Sequence, residues 1–251
     1  MTGDGWTEAV RRQLGLGRVL PLGGPGDGSW LTEACADGVL RHAAEGVSGV
    51  RLGALRLSLA DPSRAGAPAV PAPPSALPPG PLRITAEFAA EPSEPLPEAA
   101  DRLRTALFTA AGERLGLVVA EVDLSVTTLL DAGQAPVEVP AEPEKTPPDG
   151  AQATPGSGDE ARVASAALEV PGVRRLTGAL GGFGRAVHLD ETGSVSGPAA
   201  DAALPRRHAR VELATDRAHR ALDVALAVRA VVGDALTDRP SVAVLITAVE
   251  E

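Results

Sequence analysis

The sequence predicts an α+β protein: two small αββαβ repeat modules joined by a disordered, Pro-rich acidic linker. Three observations predict it. A motif occurs twice, at residues 39–52 and 162–176. At an offset of 123 residues Ala43 meets Ala166, Ala44 meets Ala167 and Val47 meets Val170, and then Gly49, Val50 and Arg51 meet Gly172, Val173 and Arg174. Self-similarity at a fixed offset makes a repeated supersecondary unit the first hypothesis for the whole chain. Apolar residues make up 44% of the 251 residues, yet there is no Tyr, and only two Trp and three Phe. Cores must then be built from Ala, Val and Leu, which bury less area per side chain. Finally, residues 131–160 hold seven acidic residues against one base, Lys145, and so carry −6 of the chain's net −10. Low apolar content with high charge density is the composition of a segment that does not pack.

In chain order, residues 1–28 are expected to form a short helix capped by Asp4, with Trp6, Val10 and Leu14 on one stripe, and then a Gly/Pro-rich loop. A Gly-rich loop ahead of a helix can cradle phosphate. Neither a P-loop nor a dinucleotide fingerprint is present, so the loop reads as a connector.

The first module is placed at 29–131. Ser29 reads as the cap of a helix with Trp30 in its first turn and Leu31, Ala34, Cys35, Val39, Ala43 and Val47 facing the core. Residues 50–60 follow as a strand in which Leu55, Leu57 and Leu59 share a face. A loop at 61–81 holds eight prolines, with Pro68, Pro71 and Pro74 at Pro-x-x-Pro spacing. It reads as a stiff surface connection, and secondarily as a polyproline segment for an aromatic groove. Residues 82–89 form a strand with Ile84, Ala86 and Phe88 inward. A helix then opens at Pro97 and carries Leu103 and Leu107, and 117–129 closes the unit as a strand. Residues 132–158 are the acidic linker.

The second module is placed at 159–251: a helix at 160–171, a bend at 178–184, a strand at 185–190, a loop to Pro205, a strand at 207–214, a helix capped by Thr215 and running to Leu236, and a last strand at 241–249. Val122, Leu124 and Val126 match Val242, Val244 and Ile246 in the closing strands, and Gly112 matches Gly233 in the long helices.

The second module resembles the alkaline shock protein family of general-stress envelope proteins. The resemblance rests on Val163-Ala164-Ser165-Ala166-Ala167-Leu168-Glu169-Val170-Pro171-Gly172-Val173, on Ala209-Arg210-Val211-Glu212-Leu213 and on Val242-Ala243-Val244-Leu245-Ile246. The first module is similar but carries Val47-Ser48-Gly49-Val50 and the extra Pro-rich loop. The resemblance implies a module without catalysis, and a role in envelope stress or homeostasis through a protein partner, either membrane-anchored or another alkaline-shock-type protein. It implies no cofactor and no functional residue: Gly49 and Gly172 end helices.

Several function classes are disfavoured. An acidic chain poor in aromatics lacks the basic footprint and stacking platforms of nucleic-acid binding, which stays as the alternative for the αββαβ units. No stretch approaches the ~20 apolar residues of a spanning helix. The N-terminus shows no secretion signal, and a lone Cys35 suits a reducing cytoplasm. Cys35 and His42 stand seven apart on one helix, about 10 Å, too far to share a metal. The four histidines, His42, His188, His208 and His219, make no ligand pair, and Gly181 to Gly184 gives only a bare Gly-x-x-Gly. No catalytic, cofactor or metal residue is therefore assigned. One cluster is kept as a partner or anion patch: Arg206, Arg207, His208, Arg210, Arg217 and Arg220. The competing reading is a solvated edge balanced by Glu212, Asp216 and Asp223.

Overall fold

The computed structural model describes residues 17–130, 158–179, 185–192 and 206–251. The expected N-terminal helix, the linker up to residue 157 and the Gly-x-x-Gly fall outside these residues. Within them lie four α-helices and nine strands in two sheets, a mixed α+β fold.

The smaller sheet follows the expected helix, strand, strand, helix, strand order. Helix α1 (Glu33–Glu45) leads through Gly49, at φ +72°, into β3 (Val50–Leu59). The Pro-rich loop returns the chain as β4 (Leu82–Ala90), antiparallel to β3. Helix α2 (Leu96–Thr109) starts with a Pro in its first turn, where the missing N–H costs no hydrogen bond. It continues as a wider π-turn segment, Ala110–Leu115, stopped by Gly116 at φ +90°. Then β5 (Val119–Leu129) runs parallel to β4. Ile84, Ala86 and Phe88 are buried as their alternation requires.

The larger sheet has six strands. Helix α3 (Asp159–Leu168) ends before Gly172, at φ +91°, and β6 (Val173–Leu176) follows. Next come β7 (Val187–Thr192), β8 (Arg206–Asp216), α4 (Ala221–Ala235) and β9 (Ser241–Glu250). Both β6 and β7 run antiparallel to β8 along one edge, because Glu212 N–H reaches Ala186 O while Glu212 O takes Thr177 N–H. Together they occupy the place that β3 alone holds beside β4.

The parallel pair at the centre of each sheet keeps the same register over three apolar pairs. Ile84, Ala86 and Phe88 pair Val122, Leu124 and Val126; Ala209, Val211 and Leu213 pair Val242, Val244 and Ile246. Each parallel pair then slips by one residue at the same point, between Phe88 and Ala89 and between Leu213 and Ala214. Glu91 N–H reaches Gly49 O, as Asp216 N–H reaches Gly172 O.

Three expectations are corrected. Residues 29–32 do not open a helix. They form β2 (Ser29–Thr32), the second arm of a hairpin with β1 (Val19–Leu22). Thr32 is the true cap, its hydroxyl accepting Cys35 N–H, so the buried stripe of α1 is Cys35, Ala36, Leu40 and Ala44. Thr215 lies in β8, and α4 begins after Arg220.

The hairpin also decides how the halves meet. Strand β2 pairs parallel with β9, so the chain's opening strands complete the sheet built by its closing ones. One apolar core then runs through both sheets and all four helices, from Leu40 and Phe88 to Val163, Val211 and Val228. On the far face Trp30 packs with Val19, Ala243 and Leu245 beneath Val70 of the Pro-rich loop. That loop is tied down by Leu77 N–H to Val19 O and Ala69 N–H to Pro25 O, so it covers an aromatic of its own chain.

Candidate interaction surface

The arginine and histidine cluster is not one patch. Arg206 lies in β8 opposite Thr192. Arg207 Nη1 sits 2.8 Å from Asp159 at the start of α3 and 3.4 Å from Asp238. His208 is buried, with Nδ1 2.8 Å from Ser241 Oγ; desolvation holds its imidazole below the usual histidine range. Arg210 approaches the buried Glu212 at 3.7 Å. Arg217 is remote from these. It binds Glu251 at 3.0 Å and His42 Nε2 at 3.3 Å. Arg220 donates to Gly112 O and faces Asp223. Carboxylates therefore balance Arg207, Arg210, Arg217 and Arg220 in separate places.

A groove of about 740 Å³ runs between α1 and α2, with Val39, Ala43 and Ala106 in its lining and His42, Asp101, Arg102, Glu113 and Arg114 around it. Arg102 is held by Glu94 at 2.6 Å and by Ser48 O at 2.8 Å. Arg217 Nη1 donates toward His42 Nε2 at 3.3 Å, and Glu45 lies 3.2 Å from His42 Nδ1. Asp101 pairs with Arg104 and Arg102 with Glu94, so part of this charge is balanced locally.

Cys35 is fully buried, and burial pushes its thiol up to about 12. It is a core residue, not a nucleophile at neutral pH. Among the described residues no three Cys, His, Asp or Glu side chains are placed to hold a metal. The Gly-rich hairpin loop turns its carbonyls, not a phosphate cradle of N–H groups, to Arg229, whose Nη1 reaches Gly26 O at 3.0 Å and also Asp27 O.

The most distinctive surface is the outer edge of β5. Of six large apolar side chains that stand exposed among the described residues, Val126 (42%) and Leu129 (55%) lie toward the end of β5, Val118 (46%) just before its start, and Phe108 (52%) near the end of α2. In β9 the equivalent edge is covered by β2. The apolar alternation of Val122, Leu124 and Val126 was legible in sequence. That no described strand flanks them was not, because the short hairpin that covers their counterparts looks like a loop and a helix start in the sequence. Phe108 could have been found as an aromatic just off the Leu103 and Leu107 stripe.

No family model matches the chain, and neither does the sequence of any curated protein. Among solved structures it is similar to variants of the MamM C-terminal domain. One is 16% identical, with a TM-score of 0.24 over 37% of this chain and 89% of that one. A second, in a copper form, is 14% identical at a TM-score of 0.24 over 37% and 92%.

Proposed function

We propose that this chain is a non-catalytic interaction protein: two αββαβ modules with an acidic linker at 132–158, related to alkaline shock proteins. It acts as a cytoplasmic adaptor in envelope stress or homeostasis. The matched registers of β4–β5 and β8–β9 support the two-module reading. The observation that carries the interaction role is the open β5 edge with Phe108, Val118, Val126 and Leu129 exposed beside it. Exposed apolar side chains along a strand edge that no described strand pairs favour binding of another chain. No helix among the described residues is long and apolar enough to cross a membrane, so envelope contact goes through a protein partner.

The test is affinity capture of the full-length chain from its own host, with membrane and soluble fractions analysed separately. The comparison is with a Val126→Glu, Leu129→Glu variant. A membrane protein or alkaline-shock-type protein captured by the wild type and lost from the variant is the expected result. Identical recovery by both chains would remove β5 from the reading, and recovery of soluble material alone would remove the envelope role.

A further inference from the structure

We infer that the open edge of β5 pairs with β5 of a second copy of this chain, antiparallel about Leu124, joining two three-stranded sheets into one of six. The inference rests on the interaction reading above and names its partner.

The backbone supplies the first argument. In a parallel ladder, alternate residues point their N–H and C=O to one neighbour and the rest point away. Leu82 N–H reaches Val118 O, and Leu130 N–H reaches Ala90 O. With the register of Ile84 on Val122, these bonds turn the backbone groups of Val122, Leu124 and Val126 away from β4. Their counterparts on β9 are Val242, Val244 and Ile246, and there Val244 N–H donates to Gly28 O as β2 docks. The same edge that takes a strand in one sheet therefore takes none among the described residues in the other. Arg104 holds one of its groups, Nε donating to Val122 O at 3.3 Å.

Self-complementarity is the second argument, and it selects the occupant. With Leu124 opposite itself, Val122 meets Val126 and Ala120 meets Thr128 across the two-fold. Asp123 then falls opposite Ser125 and Glu121 opposite Thr127, so no carboxylate faces another. Each acid is already balanced within its own sheet, since Arg83 lies 2.5 Å from Glu121 and 3.4 Å from Asp123. The side chains of Val122, Leu124 and Val126 share the face of Ile84, Ala86 and Phe88, so pairing would extend the apolar face across the new junction. Cross-strand pairs of this type are stabilising. Arg104 leaves Val122 O on pairing and keeps its ion pair with Asp101.

The test is the mass of the full-length chain by sedimentation equilibrium at micromolar concentrations. The wild type is expected at twice its 25.4 kDa chain mass. Val126→Pro removes an N–H that the monomer does not use, and should return the mass to one chain with an unchanged far-UV spectrum. Arg104→Ala should tighten self-association severalfold. A wild type that stays at one chain mass up to 100 µM or thereabouts overturns the second-copy assignment. The capture experiment above is scored separately, so partner loss on Val126→Glu, Leu129→Glu in a monomeric protein would leave the interaction reading standing. A dimer that survives Val126→Pro also overturns the inference, because its interface would lie elsewhere.

Discussion

His208 shows how a surface reading of sequence becomes a buried term in stability. Its ring lies against Ser241 on the sheet, and desolvation lowers its pKa, with Arg210 adding to the effect and Asp190 opposing it. His188, on the neighbouring strand, is lowered by burial and by the same Arg210. A base whose folded pKa is depressed binds fewer protons folded than unfolded, so its stability term is full above the ordinary histidine pKa, ~6.5, and falls as pH drops toward the folded value. Thermal midpoints measured from pH 7.5 to 5 should therefore decline. A His188→Gln, His208→Gln double variant should flatten that decline, and an equal slope would assign it to carboxylates instead. Gly116 gives a second test at this scale. It holds φ +90° directly against Leu222 of α4, where an added Cβ would collide with the side chain. Gly116→Ala should cost about 1–3 kcal/mol from backbone strain, before repacking is counted, in urea unfolding.

At the scale of elements, the hairpin of β1 and β2 is where the sequence was least legible. Each strand has four residues, too short for alternation to show, and Ser29 followed by a helical apolar run imitates a cap. The signal was present as the apolar Val19 to Leu22 and the Trp30-Leu31 pair between Ser29 and Thr32, flanking a Gly-rich turn in which Gly24 N–H donates to Asp27 Oδ2 at 2.7 Å. Elsewhere long elements with steady periodicity were legible: β3, β4, β5, α2 and β9 fall within two or three residues of expectation. In the cation cluster, strand alternation places His208 and Arg210 on one face of β8, but one-dimensional spacing does not show that Arg217 turns away to His42 of α1. Trp30 measures what the hairpin contributes. It is 1% exposed and packs between β9 and the Pro-rich loop. Trp30→Ala should cost about 3–5 kcal/mol in chemical denaturation. Loss near zero would mean that the hairpin adds little to the sheet.

At the scale of the whole molecule, the repeat and the fold pull in different directions. The matched registers of β4–β5 and β8–β9 fit the two units proposed above, and the linker proposed at 132–158 would let each fold alone. The strand order says otherwise. Residues 29–32 from the beginning of the chain lie beside β9 at its end, Arg229 of α4 grips the tip of the hairpin, and Gly116 meets Leu222. Splitting the chain at residues 132–158 would divide one shared core between two fragments and leave the larger sheet without β1 and β2. Fragments 1–131 and 159–251 should therefore copurify when expressed together and regain one cooperative unfolding transition. Expressed separately, 159–251 should expose the β9 edge and the Trp30 side of the sheet, and so aggregate or bind a hydrophobic dye. If each fragment instead unfolded cooperatively by itself and the two ran as separate species on a sizing column, the shared core would be a weak docking and the linker would set the distance between independent modules. Association of the fragments would mean that the first unit lends its opening hairpin to complete the second, while β5 keeps an open edge.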